Sequence, residues 1–123
     1  MIKFIASDLD GTLLDGERKL PEDIFPLIRK LQTLGALFAP SSGRQYANLK
    51  KLFAPVANDV LFICENGALV KYRGKTLHLM PIRDLDALDA VREVRALPHL
   101  YPMLCGADCA YIEDTAMPFF KYA

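Results

Sequence analysis

A chain of 123 residues, 52% of them apolar, can build one domain with a real core, or one and a fraction. Its 15 Lys and Arg are balanced by 15 Asp and Glu, so it lacks the basic excess of a general nucleic-acid binder. Pro, Asn or Gly breaks every uncharged stretch well before the ~18 residues of a membrane helix, and Asp8 and Asp10 come too early for a secretory leader.

Three cysteines are an odd number that suits no disulfide framework, and a soluble cytoplasmic chain is expected. Charge is unevenly spread. Residues 1–83 carry 12 basic and 8 acidic side chains, whereas residues 84–123 carry 3 and 7. Such a shift predicts two structural units, 1–82 and 83–123, joined near Met80-Pro81-Ile82.

Ile2 to Ala6 is a short apolar run that reads as a buried strand, and Asp15-Gly16-Glu17-Arg18 reads as a turn. From Pro21 onward, Ile24, Leu27, Ile28, Leu31 and Leu34 recur at helical spacing, with Gly35 suited to the position past the helix end. Pro26 requires that this helix start later or kink. Ala36 to Ala39 predicts a second strand, Tyr46 to Phe53 a second helix stopped before Pro55, and Val60 to Cys64 a third strand. Strand, helix, strand, helix, strand is the pattern of a parallel sheet with crossover helices. Arg73-Gly74 divides residues 68–80 into a hairpin. The last segment predicts a helix capped by Asp84 with Leu88, Val91, Val94 and Leu97 on one face, then strands at Tyr101–Cys105 and Ala110–Glu113.

Chemistry concentrates in Asp8-Leu9-Asp10-Gly11-Thr12-Leu13-Leu14. On an extended backbone, Asp8 and Asp10 point the same way, beyond the carboxyl end of the first strand, where open α/β sheets bind ligands. Two neighbouring carboxylates repel, and a hard cation such as Mg²⁺ relieves that repulsion. One carboxylate could attack phosphorus while the other moves protons. Gly11 permits a sharp exit turn. Cys64, Cys105 and Cys109 read as a buried thiol and two hairpin thiols, because neither they nor His78 and His99 supply four zinc ligands at suitable spacing.

The Asp-Leu-Asp-Gly-Thr-Leu-Leu run resembles the first motif of the haloacid dehalogenase superfamily of phosphohydrolases. Phe38-Ala39-Pro40-Ser41-Ser42-Gly43-Arg44 is similar to the second motif, and Ile63-Cys64-Glu65-Asn66-Gly67-Ala68 resembles the Asn-Gly-Ala signature of the Cof-type branch. The resemblance spans the first ~70 residues in family order. It implies a Rossmann-like three-layer α/β core with a parallel sheet, followed by the start of an inserted α/β cap. Asp8 matches the nucleophile that forms an aspartyl-phosphate, and Asp10 the general acid/base. The Asp8 side chain and Asp10 carbonyl would hold Mg²⁺. The Leu9 amide, the Ser42 hydroxyl and the Gly43 amide would bind phosphate, helped by the amides of a helix beginning near Arg44. Arg44 stays open between a substrate contact and a structural ion pair. Ser42 stays open between phosphate donor and helix N-cap. Asn66 reads first as a turn residue, since Asn-Gly favours positive φ.

The resemblance also implies a Lys after the cap and a later Gly-Asp segment, which no stretch here supplies; Lys121 comes too soon. The chain is therefore expected to be an N-terminal piece of a phosphatase acting on a small phosphorylated metabolite. The competing readings are a sugar phosphomutase and a catalytically inactive piece. An incomplete sheet edge or cap is expected to favour self-association.

Overall fold

The computed structural model describes residues 2–113, and the chain divides into two compact units between Met80 and Pro81. Lys121 and the end of the second unit lie outside the described residues.

The first unit opens with β1 (Phe4–Asp8), crosses through α1 (Ile24–Thr33) to β2 (Leu37–Ser41), and through α2 (Tyr46–Leu52) to β3 (Leu61–Cys64). The hairpin β4 (Leu69–Tyr72) and β5 (Lys75–Leu79) completes one continuous sheet of order β1-β2-β3-β4-β5. The first three strands are parallel. The hairpin then joins antiparallel, which makes the sheet mixed rather than purely parallel.

Local chemistry explains the helix limits. Pro26 does not kink α1: the helix begins at Ile24, so Pro26 falls in the first turn, where a backbone N–H has no intrahelical partner. At the other end Gly35 takes φ 74°, its N–H donates to Gln32 O, and Ala36 N–H donates to Leu31 O. Those two bonds form a Schellman closure, which favours glycine at that position. Of the predicted apolar face, Ile24 and Ile28 are buried and Leu31 packs on the core, while Leu27 and Leu34 are exposed.

Successive right-handed crossovers between neighbouring parallel strands put α1 and α2 on the same sheet face. There Phe53 is fully buried, with ring centroids 6.3 Å from Phe25 and Phe38 and 6.4 Å from Phe62. Leu9, Val56, Val60 and Leu49 fill the space around these rings. The opposite face of β1 carries Phe4 and Ala6, both exposed. The described residues thus supply two of the three layers of a Rossmann-like core.

The second unit begins with α3 (Asp84–Arg95). Arg83, not Asp84, occupies its cap position, and the Arg83 guanidinium donates to both carboxylate oxygens of Asp86 at 2.7 and 2.8 Å. Asp84 lies one residue inside, where a negative charge still meets the positive helix end. The short strands β6 (Met103–Cys105) and β7 (Ala110–Ile112) pair antiparallel. Pro102 has no N–H to give a ladder, and β6 is shorter than the predicted 101–105 run.

Candidate active site

β1 ends at Asp8, and the chain then makes an irregular turn over Leu9–Leu13, closed by Leu14 N–H donating to Leu9 O at 2.8 Å. Leu9 and Leu14 anchor this turn in the core. Gly11 sits at φ 81°, in the left-handed region that the sharp exit requires. Strand alternation therefore stops at Asp8, and the turn, not an extended backbone, sets where Asp10 stands. The two carboxylates have different partners. Asp8 Oδ2 accepts a long 3.4 Å bond from the Thr12 hydroxyl, a contact that the sequence reading did not single out.

Arg44 grips Asp10 with a two-pronged fork: Nη2 donates to Oδ1 at 2.6 Å and Nε to Oδ2 at 3.1 Å. Here Arg44 forms an ion pair, one of the two roles left open by the sequence. The Arg44 hydrogen bonds hold the Asp10 carboxyl below its ordinary range, against a smaller opposing effect of desolvation.

Strand pairing brings the second motif beside the first. Asp8 is in register with Ser41 at the carboxyl ends of β1 and β2. Ser42 is buried, and its Oγ accepts from Arg44 N–H at 3.2 Å. Ser42 is not the cap of α2, because the helix starts at Tyr46 with Gln45 in the cap position. The expected helix beginning near Arg44 therefore starts two residues later.

The third motif lies against the second. Asn66 N–H donates to Ser42 O at 3.1 Å and Glu65 N–H to Arg44 O at 3.2 Å. The Asn66 side chain occupies the space beside Gly43, where an added Cβ would sit 3.1 Å from Oδ1. Asn66 has φ 54°, in keeping with its reading as a turn residue. Lys71, a buried residue of β4, sets its ammonium 4.5 Å from the Tyr46 ring centroid.

Asp8 and the Asp10 carbonyl supply hard oxygen donors of the kind Mg²⁺ takes. Among the described residues no group of three or more His, Cys, Asp or Glu could hold a metal, so these two donors fit only a partly hydrated ion. No helix among the described residues is long and apolar enough to cross a membrane. An apolar groove lined by Leu88, Val91, Leu104 and Ile112 belongs to the second unit.

Comparison with known proteins points the same way. The chain is 30% identical over 111 residues to the 5-amino-6-(5-phospho-D-ribitylamino)uracil phosphatase YbjI of Escherichia coli, covering 89% of this chain and 41% of that protein. It is 33% identical over 103 residues to a phosphoglycolate phosphatase of Methanospirillum hungatei, covering 82% of this chain and 42% of that one. The chain thus spans about two fifths of the length of these relatives. Among solved structures, SMU.1108c of Streptococcus mutans superposes with a TM-score of 0.83 at 22% identity, over 99% of this chain and 47% of that one. A haloacid dehalogenase-like hydrolase of Bacillus subtilis gives 0.72 at 27% identity, over 84% of this chain and 36% of that one. Residues 5–121 match the family model for haloacid dehalogenase-like hydrolases, and the chain belongs to that family.

Proposed function

We propose that this chain, which spans about two fifths of its relatives' length, is the nucleophile-bearing part of a Mg²⁺-dependent phosphatase that hydrolyses small phosphate monoesters through an aspartyl-phosphate on Asp8. The observation that carries this reading is the pairing of β1 with β2, which sets Asp8 beside the Ser41-Ser42-Gly43 segment at one end of the sheet. In this reading the nucleophile and the phosphate donors come from the ends of adjacent strands. The named activities of the relatives, on a phosphoribityl compound and on phosphoglycolate, share a phosphate monoester on a small metabolite.

In the proposed reaction an Asp8 carboxylate oxygen bonds to phosphorus as the ester P–O bond breaks. Asp10 gives a proton to the departing oxygen. Water then attacks phosphorus, Asp10 takes its proton, and inorganic phosphate leaves with the Asp8 carboxylate restored. The Leu9 and Gly43 amides and the Ser42 hydroxyl donate to the phosphoryl oxygens. Bound Mg²⁺, held by the Asp8 carboxylate and the Asp10 carbonyl, would neutralise phosphate charge. Asp10 can carry a proton only once Arg44 has let go of it, and an arriving phosphate dianion is a suitable competitor for the guanidinium.

The test uses the intact protein, an aryl phosphate and Mg²⁺. Asp8→Asn keeps the size of the side chain but cannot attack phosphorus, so phosphate release should vanish while the melting temperature holds. Asp10→Asn should slow turnover by ~10²–10⁴-fold, the usual worth of acid/base assistance. Near-normal release by Asp8→Asn would sink the proposal.

A further inference from the structure

The strap Glu65–Gly67 is an unusual piece of backbone. Three consecutive residues are left-handed, with φ of 50° at Glu65, 54° at Asn66 and 97° at Gly67. Glycine accepts this freely and asparagine tolerates it, but glutamate pays a steric penalty. Such strain persists only where the surroundings over-determine it. Here the surroundings are the Ser42–Arg44 loop. Ser42 N–H donates to Ile63 O at 3.0 Å, Glu65 N–H donates to Arg44 O, and Asn66 N–H donates to Ser42 O. Backbone bonds thus lace the residues on both sides of Gly43 to the strap. At Gly43 itself the link is steric: an added Cβ would lie 3.1 and 3.2 Å from the two terminal atoms of the Asn66 amide. Gly43 is not among the residues with positive φ, so space rather than conformation calls for glycine there.

We propose that Asn66 is a positioning residue that sets the Ser42–Gly43 phosphate donors, its side-chain amide seated in the gap left by the missing Cβ of Gly43. The proposal rests on the phosphatase reading of Ser42 and Gly43. Asn66 and Gly43 form a matched pair, so their substitutions should couple strongly.

Three variants test it: Gly43→Ala, Asn66→Gly and the double variant. Asn66→Gly keeps the left-handed backbone available, so the fold should persist. Inorganic phosphate with Mg²⁺ is titrated into each, with binding followed through the amide resonances of Leu9 and residue 43. Each single variant should weaken phosphate binding roughly tenfold, and the double variant should recover most of it as the new methyl fills the vacated space. Additive losses, or unchanged affinity with a lowered melting temperature, would reduce Asn66 to a structural turn and overturn the proposal.

Amide hydrogen exchange without ligand provides an independent arm. Asn66→Gly should speed exchange at Arg44 while sparing β1, and the double variant should restore protection. Unchanged exchange at Arg44 would also reject the brace. Failure of the unaltered protein to bind phosphate would count against the phosphatase reading, and the exchange result would then decide the brace.

Discussion

The fork between Arg44 and Asp10 has a pH signature. Asp10 is more than half exposed, so the pair belongs with surface ion pairs, which contribute little to stability. Its folded carboxyl titrates below the ordinary 3.8, chiefly because of the Arg44 hydrogen bonds. A depressed carboxyl contributes stability above its unfolded value and loses it as the pH falls through the folded one. Arg44→Ala should therefore melt slightly lower than the unaltered protein near neutrality. The gap should close in acid below pH 3.8. A gap that persists into strong acid would show that Arg44 acts through packing. Cys64 has the opposite sign. Burial, helped by the Glu65 charge and opposed by Lys71, pushes its thiol from 9.0 up to about 11. The folded state then holds a proton that the unfolded chain releases, so stability should fall as the pH rises from 9.0 toward 11, and Cys64→Ala should flatten that slope. Iodoacetamide at mildly alkaline pH should modify the exposed Cys105 and Cys109 first. Equal reactivity at Cys64 would contradict its burial.

Among the elements, the β4–β5 hairpin has a turn that its sequence only half suits. Arg73 and Gly74 both have positive φ, at 50° and 75°, as a two-residue turn of the primed kind requires. Gly74 accepts this, while arginine at such an angle is strained by roughly 1–2 kcal/mol. In return Arg73 makes one exposed 3.3 Å bond to Asn58 O and lies over the Tyr72 ring. Exposed contacts of that kind are worth about 0.5–1 kcal/mol each at most. Arg73→Asn should leave stability unchanged or raise it by up to ~1 kcal/mol, read from urea midpoints. A clear loss would mean that the contacts of Arg73 outweigh its backbone strain. This hairpin was legible in the sequence because its signal is local, as was the Gly35 stop of α1. The exposure of Leu27 and Leu34 was not legible, since helical periodicity marks a stripe without saying how much of it a neighbour covers. The Gly43–Asn66 fit was also out of reach: two residues 23 apart meet only after β2 and β3 align. The irregular turn at Leu9–Leu13 escaped for a third reason. Alternation along β1 assumes an extended backbone, and Gly11 ends it.

At the scale of the whole chain, the sheet has an unfinished look on one side. β1 is an edge strand of the described sheet, Ile2 and Phe4 are 71% and 48% exposed, and neither helix of the first unit covers that face. Sequence could supply the order of elements and the three motifs, because each is a run of adjacent residues. The exposed second face became evident only once both crossover helices fell on the same side. Two outcomes follow for residues 1–123 purified alone. Attack by Asp8 on a phosphate dianion is opposed mainly by charge, which phosphoryl transfer meets with positioned cations. Here Arg44 is paired with Asp10 in the ligand-free chain, and among the described residues the proposed metal donors are one carboxylate and one carbonyl. Such a pair should hold Mg²⁺ only weakly, since this ion gives up its water reluctantly. The isolated chain should therefore show no appreciable turnover of an aryl phosphate with Mg²⁺. It should also self-associate, because an open strand edge beside an apolar face recruits another strand. Sedimentation across a concentration series reads the second outcome. Changing Phe4 to Lys should drive the chain toward monomer by setting a charge on the bare face. Robust turnover that disappears in Asp8→Asn would show that the charge argument is wrong, and a clean monomer at high concentration would show that the β1 edge is already protected.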